Sequence, residues 1–196
     1  RQYFMSHMKF LKNYYSKVSN GKVDIEFSIP DKIYTLPDSM RKYGVPKGSD
    51  FSKLANLAVD SWKLVDKESP EINFSDYDCF FIFHAGFGKD IDLAGIYGSD
   101  PTPYDLPSIT FGMNSFRKYL GSSFDGISVN GGKYKITNSA ILPESEYREI
   151  KSYGVTNLVE LSINGLVVSS FGSYLGLPDL FNTKDGSTAI GRFGLM

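Results

Sequence analysis

Three serines near the C-terminal end of the chain, Ser169, Ser170 and Ser173, stand at spacing i, i+1 and i+4 within an apolar run. On a helix this spacing puts the first and third one turn apart on one face. A serine becomes a nucleophile when a neighbouring base takes its proton. However, Gly172-Ser173-Tyr174-Leu175-Gly176 lacks the G-x-S-x-G order, and a serine inside a helix lacks the strained elbow of that motif. His84 could reach Ser173 only through tertiary folding, with no carboxylate marked as a third partner. Cys79 and His84 make a poorer pair, because five residues along a strand separate them by about 16 Å and turn them to opposite faces. His84 therefore reads as a hydrogen-bonded residue at a strand end. Asp90, Asp92, Asp100 and Asp105 lie in a Gly/Pro-rich stretch and could gather oxygen ligands around Ca²⁺. They lack EF-hand spacing and read as solvated loop carboxylates.

The same serine spacing has a second chemical meaning. In a zinc peptidase helix of the form H-E-x-x-H, two imidazoles one turn apart hold the metal, and the glutamate polarises its bound water. In the metzincin type a glycine three residues on turns the chain, a third ligand follows, and a methionine-bearing turn lies beneath. Here Ser169 and Ser173 occupy the histidine positions and Ser170 the position of the base. Gly176 stands at the turn, Asp179 at the third-ligand position, and Met196 where the methionine would fall. A neutral hydroxyl is a poor zinc donor beside imidazole, thiolate or carboxylate, and Asp179 alone cannot hold the ion tightly. Conventional zinc proteolysis is excluded by these residue types, and no zinc or other cofactor is expected.

The run Phe171-Gly172-Ser173-Tyr174-Leu175-Gly176-Leu177-Pro178-Asp179-Leu180 resembles the helix end H-E-F-G-H-x-L-G-L-P-D-L of the immune inhibitor A-like zinc metallopeptidases, a metzincin-related secreted bacterial family. Phe83-His84-Ala85-Gly86 is similar to that family's F-H-A-G strand end. Phe10-Leu11-Lys12-Asn13-Tyr14-Tyr15 with Ser19-Asn20-Gly21-Lys22 resembles its first helix and turn, so the likeness touches the chain from its first helix to Met196. The resemblance implies a metzincin-like catalytic domain with its ligands replaced, secreted or at a cell surface. It also implies a missing first β-strand upstream and the rest of the lobe downstream.

The elements that must position these residues follow from periodicity. Phe4, Met8, Leu11, Tyr14, Tyr15 and Val18 recur at helical spacing up to a stop at Asn20-Gly21. Val23, Ile25 and Phe27 alternate with polar residues as in a half-buried strand. A proline-punctuated loop follows, then a helix from Ser49-Asp50 with Leu54, Leu57, Ala58, Ser61, Trp62 and Val65 on one face. The apolar run Cys79–Phe83 reads as a central strand buried on both faces. From 88 to 143 the sequence reads as an irregular insertion with strand-like pieces at 108–111, 126–129, 134–137 and 140–142. The last helix is expected over 157–174. Together these suggest one α/β or α+β domain over 1–196, a small twisted mixed sheet backed by helices, incomplete at both ends.

Composition narrows the function classes. A net charge of −1 gives no electrostatic case for nucleic acid or an anionic membrane. No apolar run reaches the roughly 18–20 residues that span a bilayer. Aromatic residues make up 15%, and Tyr97, Tyr104, Phe111, Phe116, Tyr119 and Phe124 could form either a binding surface or a satellite core. The expected role is an inactive peptidase-like module that binds neighbouring protein subunits of a surface assembly, with the aromatic-rich loops making the contacts. A secreted metalloendopeptidase-type hydrolase acting through another site is the alternative.

Overall fold

The computed structural model describes residues 1–46, 50–90, 98–99, 102–178, 180 and 187, with the backbone alone at 147–152 and 158–161. Mixed helices and a small mixed sheet make it an α+β fold, divided into two compact units. One unit comprises residues 1–33 and 162–196; the other spans 34–161.

In the discontinuous unit, helix α1 (Gln2–Val18) buries His7, Met8, Leu11 and Tyr15 along one stripe. It ends in a Schellman turn. Asn20 takes φ 54°, the Gly21 N–H bonds Ser16 O at 2.7 Å, and the Asn20 N–H bonds Lys17 O at 3.2 Å. Beyond it, the alternating stretch expected as a strand forms no ladder with any described residue, although Ile25 is buried. Alternation predicts a half-buried chain, and here the half-burial comes without a ladder among the described residues.

The 34–161 unit opens with a short helix α2 (Met40–Tyr43) and the long helix α3 (Ser52–Glu68), which buries Leu54, Ala55, Leu57, Ala58 and Val65. A 3-10 turn (Phe74–Asp76) leads to strand β1 (Phe81–Phe87). There follow β2 (Ile109–Phe111), helix α4 (Met113–Leu120), β3 (Ile127–Val129), β4 (Tyr134–Ile136), β5 (Ser139–Ser152) and β6 (Val155–Leu161). The central strand is β5. It runs parallel to β1, from Phe81↔Ala140 to Phe87↔Ser145, and antiparallel to β2, with Ile109 opposite Ile141. It then continues as the first strand of an antiparallel hairpin with β6, from Glu146↔Leu161 to Ser152↔Val155. Strands β3 and β4 form a separate ribbon.

Two sequence expectations change here. The apolar run 79–83 leads into β1, which among the described residues lies at the sheet border, with Phe81 to His84 only half-buried. The strand covered on both edges is β5. Residues 155–161 are strand and not the start of the last helix, since Tyr153 (φ 51°) and Gly154 (φ 78°) close a two-residue turn after Ser152. The 88–143 stretch also carries α4, an eight-residue helix between Gly112 and Gly121, where the sequence suggests only strand-like pieces.

Far from decorating the unit, that stretch fills its core. Leu106, Phe111, Phe116, Ile127 and Ile136 pack in one cluster with Tyr43, Leu54, Phe74 and Ile141. Phe111 and Phe116 stack at 5.1 Å between ring centres. Trp62 donates its indole hydrogen to Ser139 Oγ at 2.9 Å and meets Phe74 and Phe80 edge-on. Asn130, with φ 51°, links three segments. Its N–H donates to Asp66 Oδ1, its Nδ2 to Ile72 O, and its Oδ1 accepts from the Phe74 N–H, all at 2.8–2.9 Å.

Candidate functional site

The three serines sit on helix α5 (Asn164–Tyr174), which buries Val167, Val168, Ser170, Phe171 and Gly172. Burial decides what each hydroxyl can meet. Ser170 is buried, Ser169 is half-buried, and Ser173 is exposed. Ser169 Oγ donates to Leu166 O at 3.1 Å, the back-bonding habit of a serine inside a helix. Ser169 and Ser173 thus share a partly open face one turn apart, with Ser170 turned into the packing.

His7 and Tyr15 tie α1 to α5 through polar contacts. His7 Nδ1 lies 2.7 Å from Asn164 Oδ1, an arrangement in which the imidazole nitrogen donates. Tyr15 donates its phenol hydrogen to Val168 O at 2.9 Å, and its ring meets Phe171 edge-on at 4.9 Å. Earlier pairs with earlier and later with later, so the two helices run in the same direction along their contact. Burial, with Tyr14 adding to it, pushes the Tyr15 phenol up to about 12. His7 and Tyr15 were not singled out for this role by the sequence. Their i, i+8 spacing with Leu11 between them on the apolar stripe is the signal that marks them as facing a neighbour.

The helix ends as the glycine spacing implies. Gly176 takes φ 81°, its N–H bonds Ser173 O at 3.0 Å, and the Leu177 N–H bonds Gly172 O at 3.0 Å, a Schellman turn. Leu175 and Leu177 are exposed just beyond it. Asp179 and Met196, the remaining positions of the zinc-site frame, lie outside the described residues.

The other candidates belong to the 34–161 unit. His84, at the parallel pairing with Pro143, has Nδ1 3.0 Å from Ala85 O. Burial lowers its pKa, against the smaller opposing effects of the Ala85 hydrogen bond and of Asp90 and Asp105. Burial likewise pushes the Cys79 thiol up to about 12, where it is a poor nucleophile. Asp90 accepts from both the Ser108 N–H at 2.9 Å and the Ser108 hydroxyl at 2.7 Å, so both its oxygens close a loop. Asp105 lies in the turn before Leu106, while Asp92 and Asp100 lie outside the described residues. Among the described residues no three His, Cys, Asp or Glu side chains form a group that could hold a metal ion.

The aromatic candidates divide. Phe111 and Phe116 are core residues, and Tyr119 and Phe124 pack against that core. Tyr104 is exposed and carries the Arg41 guanidinium 4.5 Å above its ring, while Tyr97 lies outside the described residues. The aromatic surface expected from the sequence is therefore largely interior, because stacked rings bury more apolar area than a loop could expose. An open hollow of about 420 Å³ on this unit is lined by Asp66, Pro70, Asn73, Asn130, Gly131 and Lys133. Its Asp66 and Asn130 already bond to each other, and it contains none of the candidate residues. Among the described residues no helix is long and apolar enough to cross a membrane. Compared with known proteins, the chain matches no family model and no curated sequence.

Proposed function

We propose that the chain is a catalytically inert relative of the immune inhibitor A-like zinc metallopeptidases, serving as a structural or binding module of a secreted or cell-surface protein or assembly. The observation that carries this reading is the helix end. A Schellman turn at Gly176 closes a helix whose three zinc-site positions are serines. The helix and its glycine turn agree with the frame that the resemblance implies, and the groups at its ligand and base positions are hydroxyls. Ser169 donates to its own helix, and Ser170 is packed away from solvent. A metzincin-like domain is the corresponding reading of the α+β fold. Its partners would be neighbouring protein subunits.

The test is metal analysis of the purified full-length protein after zinc loading and washing. Zinc below about a tenth of an equivalent is the expected result. One equivalent retained together with cleavage of a peptide library would overturn the reading and restore a hydrolase.

A further inference from the structure

Beyond Ser145 the sheet narrows to a two-stranded arm. Strand β1 stops pairing at Phe87↔Ser145, β2 has ended at Ile109↔Ile141, and residues 146–152 pair only with β6 among the described residues. Residues 153–157 at the tip are exposed one after another, with Tyr153 fully so. Successive strand residues face opposite sides, so consecutive exposure at Val155, Thr156 and Asn157 means that both faces of the ribbon are bare there. A lone two-stranded ribbon is marginal in water, and a third strand or a covering layer stabilises it.

The outer edge of β6 suits that third strand. Val155-Thr156-Asn157-Leu158-Val159-Glu160-Leu161 has no proline, glycine or lysine, the residues that usually blunt a sheet edge. The two-residue turn makes Ser152↔Val155 a hydrogen-bonded pair, and such pairs alternate along an antiparallel ladder. Thr156, Leu158 and Glu160 therefore stand at the non-hydrogen-bonded positions opposite Lys151, Glu149 and Tyr147. Their N–H and C=O groups point away from β5 and offer a ladder to an incoming strand.

We propose that the strand they take is β6 of a second copy of this chain, paired antiparallel about a two-fold axis at Leu158. That register sets Leu158 against its own equivalent at a hydrogen-bonded pair. Thr156 then falls opposite Glu160, Asn157 opposite Val159, and Val155 opposite Leu161. The one charged residue of the strand meets a neutral threonine, so the self-pairing contains no like-charge contact. A continuous four-stranded sheet, β5-β6-β6-β5, results from two marginal ribbons. The proposal stands on the hairpin register and not on the lost zinc site, so zinc binding leaves it untouched.

Sedimentation of the intact protein from roughly micromolar to hundred-micromolar concentration tests it. A species of twice the protomer mass is expected. Thr156→Glu sets two like-charge pairs across the axis and is expected to weaken the dimer about tenfold, while leaving the circular dichroism unchanged. Thr156→Glu with Glu160→Lys is expected to restore it, because each new pair is then oppositely charged. Leu158→Pro removes an outward N–H at the axis and no bond to β5, so it is expected to abolish the dimer, and it decides the matter if the glutamate variant does not fold. A monomer at every concentration would overturn the proposal, leaving the edge to a strand from another protein. A dimer indifferent to all three variants would overturn it equally.

Discussion

The hydroxyl of Tyr15 and the carbonyl of Val168 meet at 2.9 Å, tying the first helix to the helix that carries Ser169, Ser170 and Ser173. These residues are 153 positions apart in sequence, and the bond is buried. Replacing Tyr15 with Phe keeps the ring against Phe171 and removes only the hydrogen bond. A loss of about 1 kcal/mol is expected in urea unfolding. Because burial raises the phenol pKa to about 12, stability from this group is complete below the unfolded value near 10. It declines as pH rises toward 12. Absorbance titration at alkaline pH checks this, with one late-titrating tyrosine missing from the Tyr15→Phe variant.

Asn130 should be among the most sensitive polar positions of the 34–161 unit. Its side chain serves Ile72 and Phe74, its own N–H serves Asp66, and its backbone is left-handed. Asn130→Ala is expected to cost about 3 kcal/mol, combining two lost side-chain bonds with the loss of asparagine's tolerance for a left-handed backbone at φ 51°. Asn130→Gly removes the same bonds without the backbone strain and should be about 1 kcal/mol less damaging. Thermal or chemical unfolding of the pair separates the two effects.

His84 makes stability sensitive to mild acid. Burial lowers its folded pKa, so the unfolded chain binds the proton more readily. Stability from the neutral imidazole is present above the unfolded value near 6.5 and is lost as pH falls through the depressed folded value. His84→Asn should flatten this part of the pH–stability curve, leaving the limb due to carboxylates.

Cys79 should resist alkylation in the folded protein. A thiol raised from 9.0 to about 12 by burial carries roughly a thousandfold less thiolate at neutral pH. Iodoacetamide labelling should be slow in buffer and fast in denaturant. Rapid native labelling would show that the segment leading into β1 opens readily.

Much of this architecture can be read along the chain. The face of α3 and the short strands β2, β3 and β4 announce themselves through apolar spacing and flanking glycines. The harder segments are those where one pattern serves two structures. Val155 to Leu161 is a short apolar run that suits strand or helix, and the Tyr153-Gly154 turn decides between them. Helix α4 has only eight residues, too few for periodicity to stand out from its glycine-rich surroundings. The central position of β5 depends on pairings at long range, which Cys79–Phe83 outshines in hydrophobicity. At the serine helix, spacing alone gives the shared face of Ser169 and Ser173. The contacts of the neighbouring Val168 and Phe171 with Tyr15 depend on α1, which arrives from the far end of the chain.

Strand β5 is one uninterrupted rod of about 45 Å, rooted between β1 and β2 and running on into the hairpin arm. Tension applied at Tyr153 would travel in line with that rod. The bonds between β1 and β5 would then bear the load side by side, as rivets along a lap joint do, instead of parting in sequence like the teeth of a zip. Whatever grips the arm tip therefore pulls on the heart of the 34–161 unit in the direction in which it yields least.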